Sequence, residues 1–367
     1  MTLFLCSCAE STESTGEIGL EYKESVPLLY ADRFSIDRYE GGYSVISTAN
    51  GESYLIVPEG KSAPQDIPEN MRIINQPVQN IYLAATSAMG LFDALGEGKA
   101  VGFTGTNADG WYIEYAKNAL ENGDMLYAGK YREPDYELLL SNGCTFSVQS
   151  TMINHVPEVK EKLEELGITV FTDMSSYESH PLGRSEWIKV YGEMTGKAEE
   201  AERLFNEQAA LLSEIEGYEP AGKTAVYFYI TDSGQAVTRK SGDYISKMIS
   251  LAGGENVFKD LGKDSSSSSV TIEMEQFYET AKDADYIIYN STIGGEISSV
   301  EEIIAKNPLI ADFKAVKNNN VWCTKNNLFQ DSLRLGTVIS DFRSVFTEST
   351  ESSPPEFLYK PESGAVD

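Results

Sequence analysis

Lys197-Ala-Glu-Glu-Ala-Glu-Arg-Leu-Phe-Asn-Glu-Gln-Ala-Ala-Leu-Leu-Ser-Glu-Ile-Glu216 is the stretch that decides the architecture. Ala201, Leu204, Phe205, Gln208, Leu211, Leu212 and Ile215 recur at a 3.6-residue period, which predicts one amphipathic helix. At 1.5 Å per residue such a helix spans about 30 Å, long enough to run beside two lobes rather than cap one. Helical character reaches back to residue 182, so 182–216 reads as a connecting helix. Thr195-Gly196 breaks the run, and Thr195 is expected to cap the helix after the break.

On both sides of the connector, strands and helices alternate. Before it, Asn80-Ile-Tyr-Leu-Ala84, Ala100-Val-Gly-Phe103, Thr145-Phe-Ser-Val148 and Ile168-Thr-Val-Phe171 read as strands, with helices over 87–95, 136–140 and 158–166. After it, Thr224-Ala-Val-Tyr-Phe-Tyr-Ile230, Ala284-Asp-Tyr-Ile-Ile-Tyr289 and Asn320-Val-Trp-Cys323 read as strands, with helices over 243–251, 272–280, 300–305 and 335–346. The pattern predicts an α/β protein with two Rossmann-like βα lobes, each on a parallel sheet. The lobes are assigned to 71–181 and 217–347. A small β element precedes them at 26–70: Phe34-Ser-Ile36 and Tyr43-Ser-Val-Ile46 alternate, and Asn50-Gly51 before Tyr54-Leu-Ile-Val57 signals a hairpin. Residues 348–367, with Pro354-Pro355, read as a surface tail.

Leu5-Cys6-Ser7-Cys8 has the form of a lipobox after an apolar run, and resembles bacterial lipoprotein signals. That resemblance makes 1–8 a signal remnant, Cys8 the lipidated residue and 9–25 a flexible polar tether. The expected location is extracytoplasmic, at the outer face of the cytoplasmic membrane.

Charge narrows the function. Asp plus Glu number 57 against 29 Lys plus Arg, a formal net charge of −28. Nucleic acid, whose binding rests on phosphate neutralisation, is excluded as a partner, and so is a peripheral hold on anionic lipid. Two histidines, His155 and His180, in separate segments do not make a dedicated metal site. Cys144 and Cys323 sit in apolar runs and read as small buried hydrophobes. Gly217-Tyr-Glu-Pro-Ala-Gly-Lys-Thr224 matches the phosphate-loop expression, yet a helix precedes it and a strand comes after. A phosphate loop needs the reverse order, so the match is rejected. No catalytic constellation is present, and no enzyme activity is expected.

Further stretches carry a resemblance to a family. Ser179-His-Pro-Leu-Gly-Arg-Ser-Glu-Trp187 with Met194-Thr-Gly-Lys-Ala-Glu-Glu-Ala201 is one. The others are Leu251-Ala-Gly-Gly-Glu-Asn-Val-Phe258, Val270-Thr-Ile-Glu-Met-Glu-Gln-Phe277 with Asp285-Tyr-Ile-Ile-Tyr289, and Asn307-Pro-Leu through Phe313-Lys-Ala-Val-Lys317 to Val321-Trp322. Their order and spacing over residues 71–347 resemble the substrate-binding proteins of iron-complex and cobalamin ABC importers.

The resemblance implies a ligand cleft between lobes, lined by loops beyond the strand C-termini. The ligand-binding candidates are Trp111, Tyr112, Tyr131, Arg132, His180 and Arg184 in the first half. In the second they are Tyr229, Arg239, Lys325, Phe329 and Arg334. Aromatic planes suit a flat macrocycle and arginines suit anionic chelates. The implied ligand is a ferric siderophore, heme or cobalamin, carried as cargo and not as a cofactor. The implied partners are an ABC permease and its separate ATPase, met by Glu158 (alternatively Glu137) and Glu273, and the protein is expected to be a monomer. A same-fold receptor for another small solute, a surface α/β enzyme, and a non-transporting adhesin or sensor are the competing readings.

Overall fold

Three β-sheets succeed one another along the chain in the computed structural model, which describes residues 18–261, 268–348 and 354–362. Cys8 and residues 9–17 of the tether lie outside the described residues. The first sheet holds β1 (Tyr22–Ser25), β2 (Phe34–Tyr39), β3 (Ser44–Thr48), β4 (Ser53–Val57) and β5 (Met71–Asn75) in that order. β1 to β4 form an antiparallel meander, and β5 adds parallel to β4. Asn50 and Gly51 make the β3–β4 turn, where Gly51 takes φ 84°, open to glycine without strain.

This sheet is larger than the sequence suggested at both ends. The end of the expected tether forms β1, and Met71–Asn75 completes the sheet instead of opening the first lobe. β4 explains why: Tyr54 and Ile56 pack toward the first lobe, while Leu55 and Val57 pack into a second cluster with Ile18 and Met71. A strand buried on both faces has no water for its backbone groups, so both of its edges must be paired, here by β3 and β5. The inner face meets the lobe through aromatic edges, Phe34 on Trp187 and Tyr54 on Phe171, each 5.0 Å between centroids.

The first lobe holds β6 (Ile81–Leu83), β7 (Phe103–Thr104), β8 (Leu126–Tyr127), β9 (Phe146–Ser150) and β10 (Thr169–Asp173), all parallel, ordered β10-β9-β6-β7-β8. The order reverses between β6 and β9, so a crevice opens beyond their C-terminal ends. The second lobe holds β11 (Lys223–Ile230), β12 (Ala236–Arg239), β13 (Gly254–Asn256), β14 (Ser269–Ile272), β15 (Tyr286–Tyr289), β16 (Val321–Thr324) and β17 (Leu358–Tyr359). Its order is β14-β12-β11-β15-β16-β17, with β13 also beside β11. The expected parallel sheet is therefore mixed, because β12 runs antiparallel to β11 and β14, and β17 antiparallel to β16. Two further expectations change with it. The helix expected from residue 272 begins at Met274, since Ser269–Ile272 is spent on β14. The C-terminal tail is tied into the sheet through β17.

The connector is three helices, Pro181–Glu186, Ile188–Thr195 and Ala198–Glu216. Thr195 does not cap the last one: its hydroxyl donates to Tyr191 O at 2.8 Å, and Gly196 turns the chain. Gly192 allows the last two helices to close up, because a Cβ there would lie 2.5 Å from that of Ala201. The long helix buries Ala201, Phe205, Ala209, Leu212 and Ile215. It packs on Ile188–Thr195 along one side and on the second-lobe helix Leu335–Thr347 along the other. Gln208 sits on its apolar stripe for a reason: its Oε1 accepts from Thr337 N at 3.0 Å and from the Thr337 hydroxyl at 3.2 Å. Among the described residues, no helix is long and apolar enough to cross a membrane.

Candidate functional site: the cleft between the lobes

The short helix Pro181–Glu186 is the pivot of the site. Its inner end carries Glu186, fully buried, whose carboxylate accepts from the backbone N–H of Leu29, Tyr30 and Ala31 and from Lys189 Nζ, at 2.8–3.1 Å. Glu178 does the same one step away, taking Asp32 N, Arg33 N and the Trp187 indole N–H at 2.7–3.2 Å. These carboxylates clasp the segment that leads into β2. A buried carboxylate is tolerated when its oxygens are hydrogen-bonded, as both of these are, and Glu186 is also paired with Lys189.

The other face of the same helix turns to the second lobe. Arg184 donates to Ser176 O at 2.9 Å and lays its guanidinium 3.8 Å from the ring centre of Tyr244. Its Nε is buried without a partner. Arg239 ends β12 and lies over the rings of Phe329, at 5.7 Å, and Tyr227, at 5.9 Å. Its ion pair with Asp243 is long, 3.8 Å, since the Asp243 carboxylate is engaged in accepting from Ile245 N at 2.9 Å to cap the helix Tyr244–Leu251. Burial lifts the Asp243 carboxyl above its usual range against the pull of Arg239. Phe329 meets Tyr244 edge-on at 6.5 Å. Two cations, one from the connector and one from the second lobe, are thus held on aromatic faces at the junction with no short ion pair among the described residues.

The loop after β16 carries the cleft onward. Gln330 bridges the lobes: its Nε2 donates to Gly110 O at 2.7 Å and its Oε1 accepts from Tyr112 N at 2.8 Å. Ser185 Oγ donates to Ser332 O at 2.9 Å, and Lys247 Nζ reaches Ser179 O. Beside Gln330, Tyr112 of the first lobe shares a cavity of about 410 Å³ with Lys325, Asn327 and Tyr359 of the second. Asn327 Oδ1 is buried without a partner.

The model of the periplasmic binding protein family matches residues 83–328. The chain belongs to that family. It is therefore a solute-binding protein and not an enzyme. An uncharacterized lipoprotein of Methanocaldococcus jannaschii is 26% identical over 349 residues, 89% of this chain and 81% of the relative. Among solved structures, a periplasmic heme binding protein from Pseudomonas aeruginosa superposes with TM-score 0.59 at 16% identity, covering 78% of this chain and 98% of that one. The periplasmic vitamin B12 binding protein of Vibrio cholerae superposes with TM-score 0.53 at 18% identity, covering 75% and 99%. The N-terminal sheet and β17 both lie outside the matched 83–328.

In this binding protein the expected ligand residues divide. Arg184, Arg239 and Phe329 meet at the lobe junction, and Tyr112 and Lys325 line the adjoining cavity. The other expected contacts belong elsewhere. Trp111 is core, 2% exposed, with its indole N–H given to Thr106 O at 3.0 Å. His180 caps its helix by accepting from Leu182 N at 3.1 Å, and stacks on Tyr30 at 4.4 Å. Burial, then Lys247, pushes its imidazole below its usual pKa. Tyr131 and Arg132 satisfy each other at 2.7 Å. Tyr229 packs against the second-lobe core. Arg334 pairs with Glu356 and covers Phe357, which anchors the C-terminal strand.

Glu158 and Glu273 are exposed, in the first turn of Pro157–Glu165 and at the N-cap of Met274–Ala281. Glu273 accepts from Gln235 Nε2 at 2.5 Å. Both helices start on the strand C-terminal side of their lobes.

Sequence reading missed Tyr244, Gln330, Asn327 and Tyr359. The Asp243-Tyr244 start of a helix was a usable signal for the first, because it places an aromatic at the strand C-terminal side. Another cavity, of about 770 Å³, lies at the opposite end of the second lobe. Its Asp285 is consumed by Thr224 and Lys314, so it belongs to the framework. Lys223 there opens β11 after a helix and a turn, the order that excludes a phosphate loop. Among the described residues, no group of three His, Cys, Asp or Glu could hold a metal. Cys144 and Cys323 are free and buried, and burial pushes their thiols up to about 11 and about 12.

Proposed function

We propose that this chain is a lipid-anchored extracytoplasmic receptor that captures an anionic iron complex, heme or corrinoid between its lobes and delivers it to an ABC permease powered by a separate ATPase. The observation that carries the reading is the pair Arg184 and Arg239. In a chain of net charge −28, two arginines are held at the lobe junction on the rings of Tyr244 and Phe329, and the Nε of Arg184 is buried unpartnered. A half-buried guanidinium whose nearest carboxylate is held no closer than a long ion pair favours an incoming anion, and the surrounding rings favour a flat one. The rim fits an amphiphilic cargo. Tyr112, Met152, Tyr177 and Ile293 are exposed large apolar side chains on loops beyond the C-terminal ends of β7, β9, β10 and β15. Glu158 and Glu273 sit on that same side, where they would meet basic groups of the permease.

The test is visible absorbance titration with hemin, ferric hydroxamate, ferric catecholate and cyanocobalamin, backed by calorimetry. The reading expects saturable one-to-one binding of one of these classes, weakened by Arg184→Ala and by Arg239→Ala. Binding of none of the four by the wild-type protein overturns the ligand class. The lipid anchor has its own check: Cys8→Ala should abolish membrane fractionation or leave uncleaved precursor, and unchanged fractionation and mass would refute it.

A further inference from the structure

The C-terminal segment contains a strand, β17, that the family match does not include. Phe357 and Leu358 are buried, and Phe357 N donates to Asp341 Oδ2 at 2.7 Å. Lys325 N donates to Phe357 O at 2.8 Å, which ties the segment to the cleft loop itself. Beyond β17, Glu362 N donates to Ser298 O at 2.8 Å and Val300 N to Glu362 O at 3.1 Å. Residues 354–362 are thus fastened at both ends of β17. In a strand, neighbouring side chains point to opposite faces, so burying Leu358 on one face of the sheet directs Tyr359 to the other. There its side chain packs on the second-lobe core and also lines the cavity that Tyr112 lines from the first lobe.

The Tyr359 hydroxyl is already committed. It donates to Ile297 O at 3.0 Å, accepts from Ile297 N at 3.1 Å, and lies 3.2 Å from Ser291 Oγ. What remains to offer is the part of the ring that the second-lobe core leaves open to the cavity. Across the same cavity, Lys325 and Glu296 supply opposite charges, and Asn327 an acceptor oxygen buried with no donor among the described residues. We infer that Tyr359 is a ligand-contacting, specificity-determining residue, and that the C-terminal strand completes the cleft by giving its aromatic face to the flat or aliphatic flank of the cargo. Asn327 then takes an N–H or O–H donor on that flank. The inference rests on the receptor reading and adds to it a residue from outside the matched domain.

The test separates contact from scaffolding. If Tyr359 only holds the segment 291–297 through its hydroxyl, Tyr359→Phe should be as harmful as Tyr359→Ala. If the ring contacts cargo, Tyr359→Phe should bind the best probe of the four-compound panel within about threefold of wild type. Tyr359→Ala should then weaken it more than about tenfold, with thermal unfolding of both variants recorded alongside. Wild-type protein gives a check that needs no variant. Saturating probe should cut hydroxyl-radical labelling of Tyr359 at least about fivefold while leaving Tyr218, 67% exposed, unchanged. Equal affinities for Tyr359→Ala and wild type, or unaltered labelling, overturn the role of Tyr359 and leave the receptor reading standing. A wild-type protein that binds no probe overturns both.

Discussion

Glu186 and Arg184 are two residues apart on one short helix, the first fully buried and the second half-buried with its Nε shielded from water. Glu186 has every oxygen engaged, by three backbone N–H groups and by Lys189. Arg184 has a hydrogen bond to Ser176 O, an aromatic face and a buried Nε without a partner. The difference separates architecture from function. A buried charge that is fully hydrogen-bonded holds the structure together, and one left incomplete is a place for something else to bind.

Breaking the complete member should have the largest effect. Glu186→Ala leaves Lys189 buried without its partner and three backbone donors unsatisfied, and should cost about 3–5 kcal/mol of stability. Urea denaturation measures this, and a loss under about 1 kcal/mol would show that the clasp is not structural. Affinity of the folded fraction for cargo should be unchanged. The incomplete member should behave in the opposite way. Arg184→Ala and Arg239→Ala should each weaken cargo by about 1.5–3 kcal/mol, the range for a hydrogen bond to a charged group, with little change in stability. Affinity within a factor of two of wild type would remove either arginine from the site.

Two further carboxyls sharpen the comparison because they are buried with less support than Glu186. Burial lifts Asp331 and Asp341 from 3.8 to about 6. The folded protein keeps these protons to about pH 6, whereas the unfolded chain loses them near 3.8. Their contribution to stability is therefore fully present below about pH 4 and is lost as pH rises through 6. Asp341→Asn keeps an acceptor for Phe357 N and cannot ionise. It should flatten the pH dependence between about 4 and 7 and gain about 1–3 kcal/mol relative to wild type at about pH 8. A variant less stable than wild type at that pH would mean that the ionised carboxylate is the better anchor. The smallest effect on purified protein is expected from Glu158→Lys with Glu273→Lys. Both sites are exposed, so stability should stay within about 0.5 kcal/mol and solution affinity within about twofold. Uptake in cells should nevertheless fail, and normal uptake would show that docking lies elsewhere.

How much of the molecule was written in the chain obeys the same division. The connecting helix was legible because Ala201 to Ile215 repeat a period that only one structure satisfies, and most of the first lobe because its strands are short apolar runs and two of its helices stop at Gly96 and Gly167, whereas the two-residue β8 and the helix Glu114–Asn122 were not read. β12 and β14 were not, because four-residue antiparallel strands such as Ala236–Arg239 carry no stable period of their own. β17 was hidden because a Leu-Tyr pair in a polar tail becomes a strand only where β16 offers an open edge. Arg239 and Arg184 could be named from their loops. Their aromatic partners could not, since the Arg184–Tyr244 contact joins positions 60 residues apart, and only packing brings them together. Trp111 and His180 misled for the converse reason: an aromatic on a loop is as suited to a core or a cap as to a ligand.

The Gln330 bridge has a kinetic consequence for any cargo that must part the lobes to enter. Its two bonds, with those of Ser185 and Lys247, make four side-chain hydrogen bonds across the junction. At about 1 kcal/mol net apiece, parting the lobes costs about 4 kcal/mol, which leaves the open form at about one molecule in a thousand. A cargo that needs the lobes parted would associate more slowly by that fraction. Gln330→Ala should speed association and dissociation alike, so that residence time, more than affinity, is what this glutamine governs.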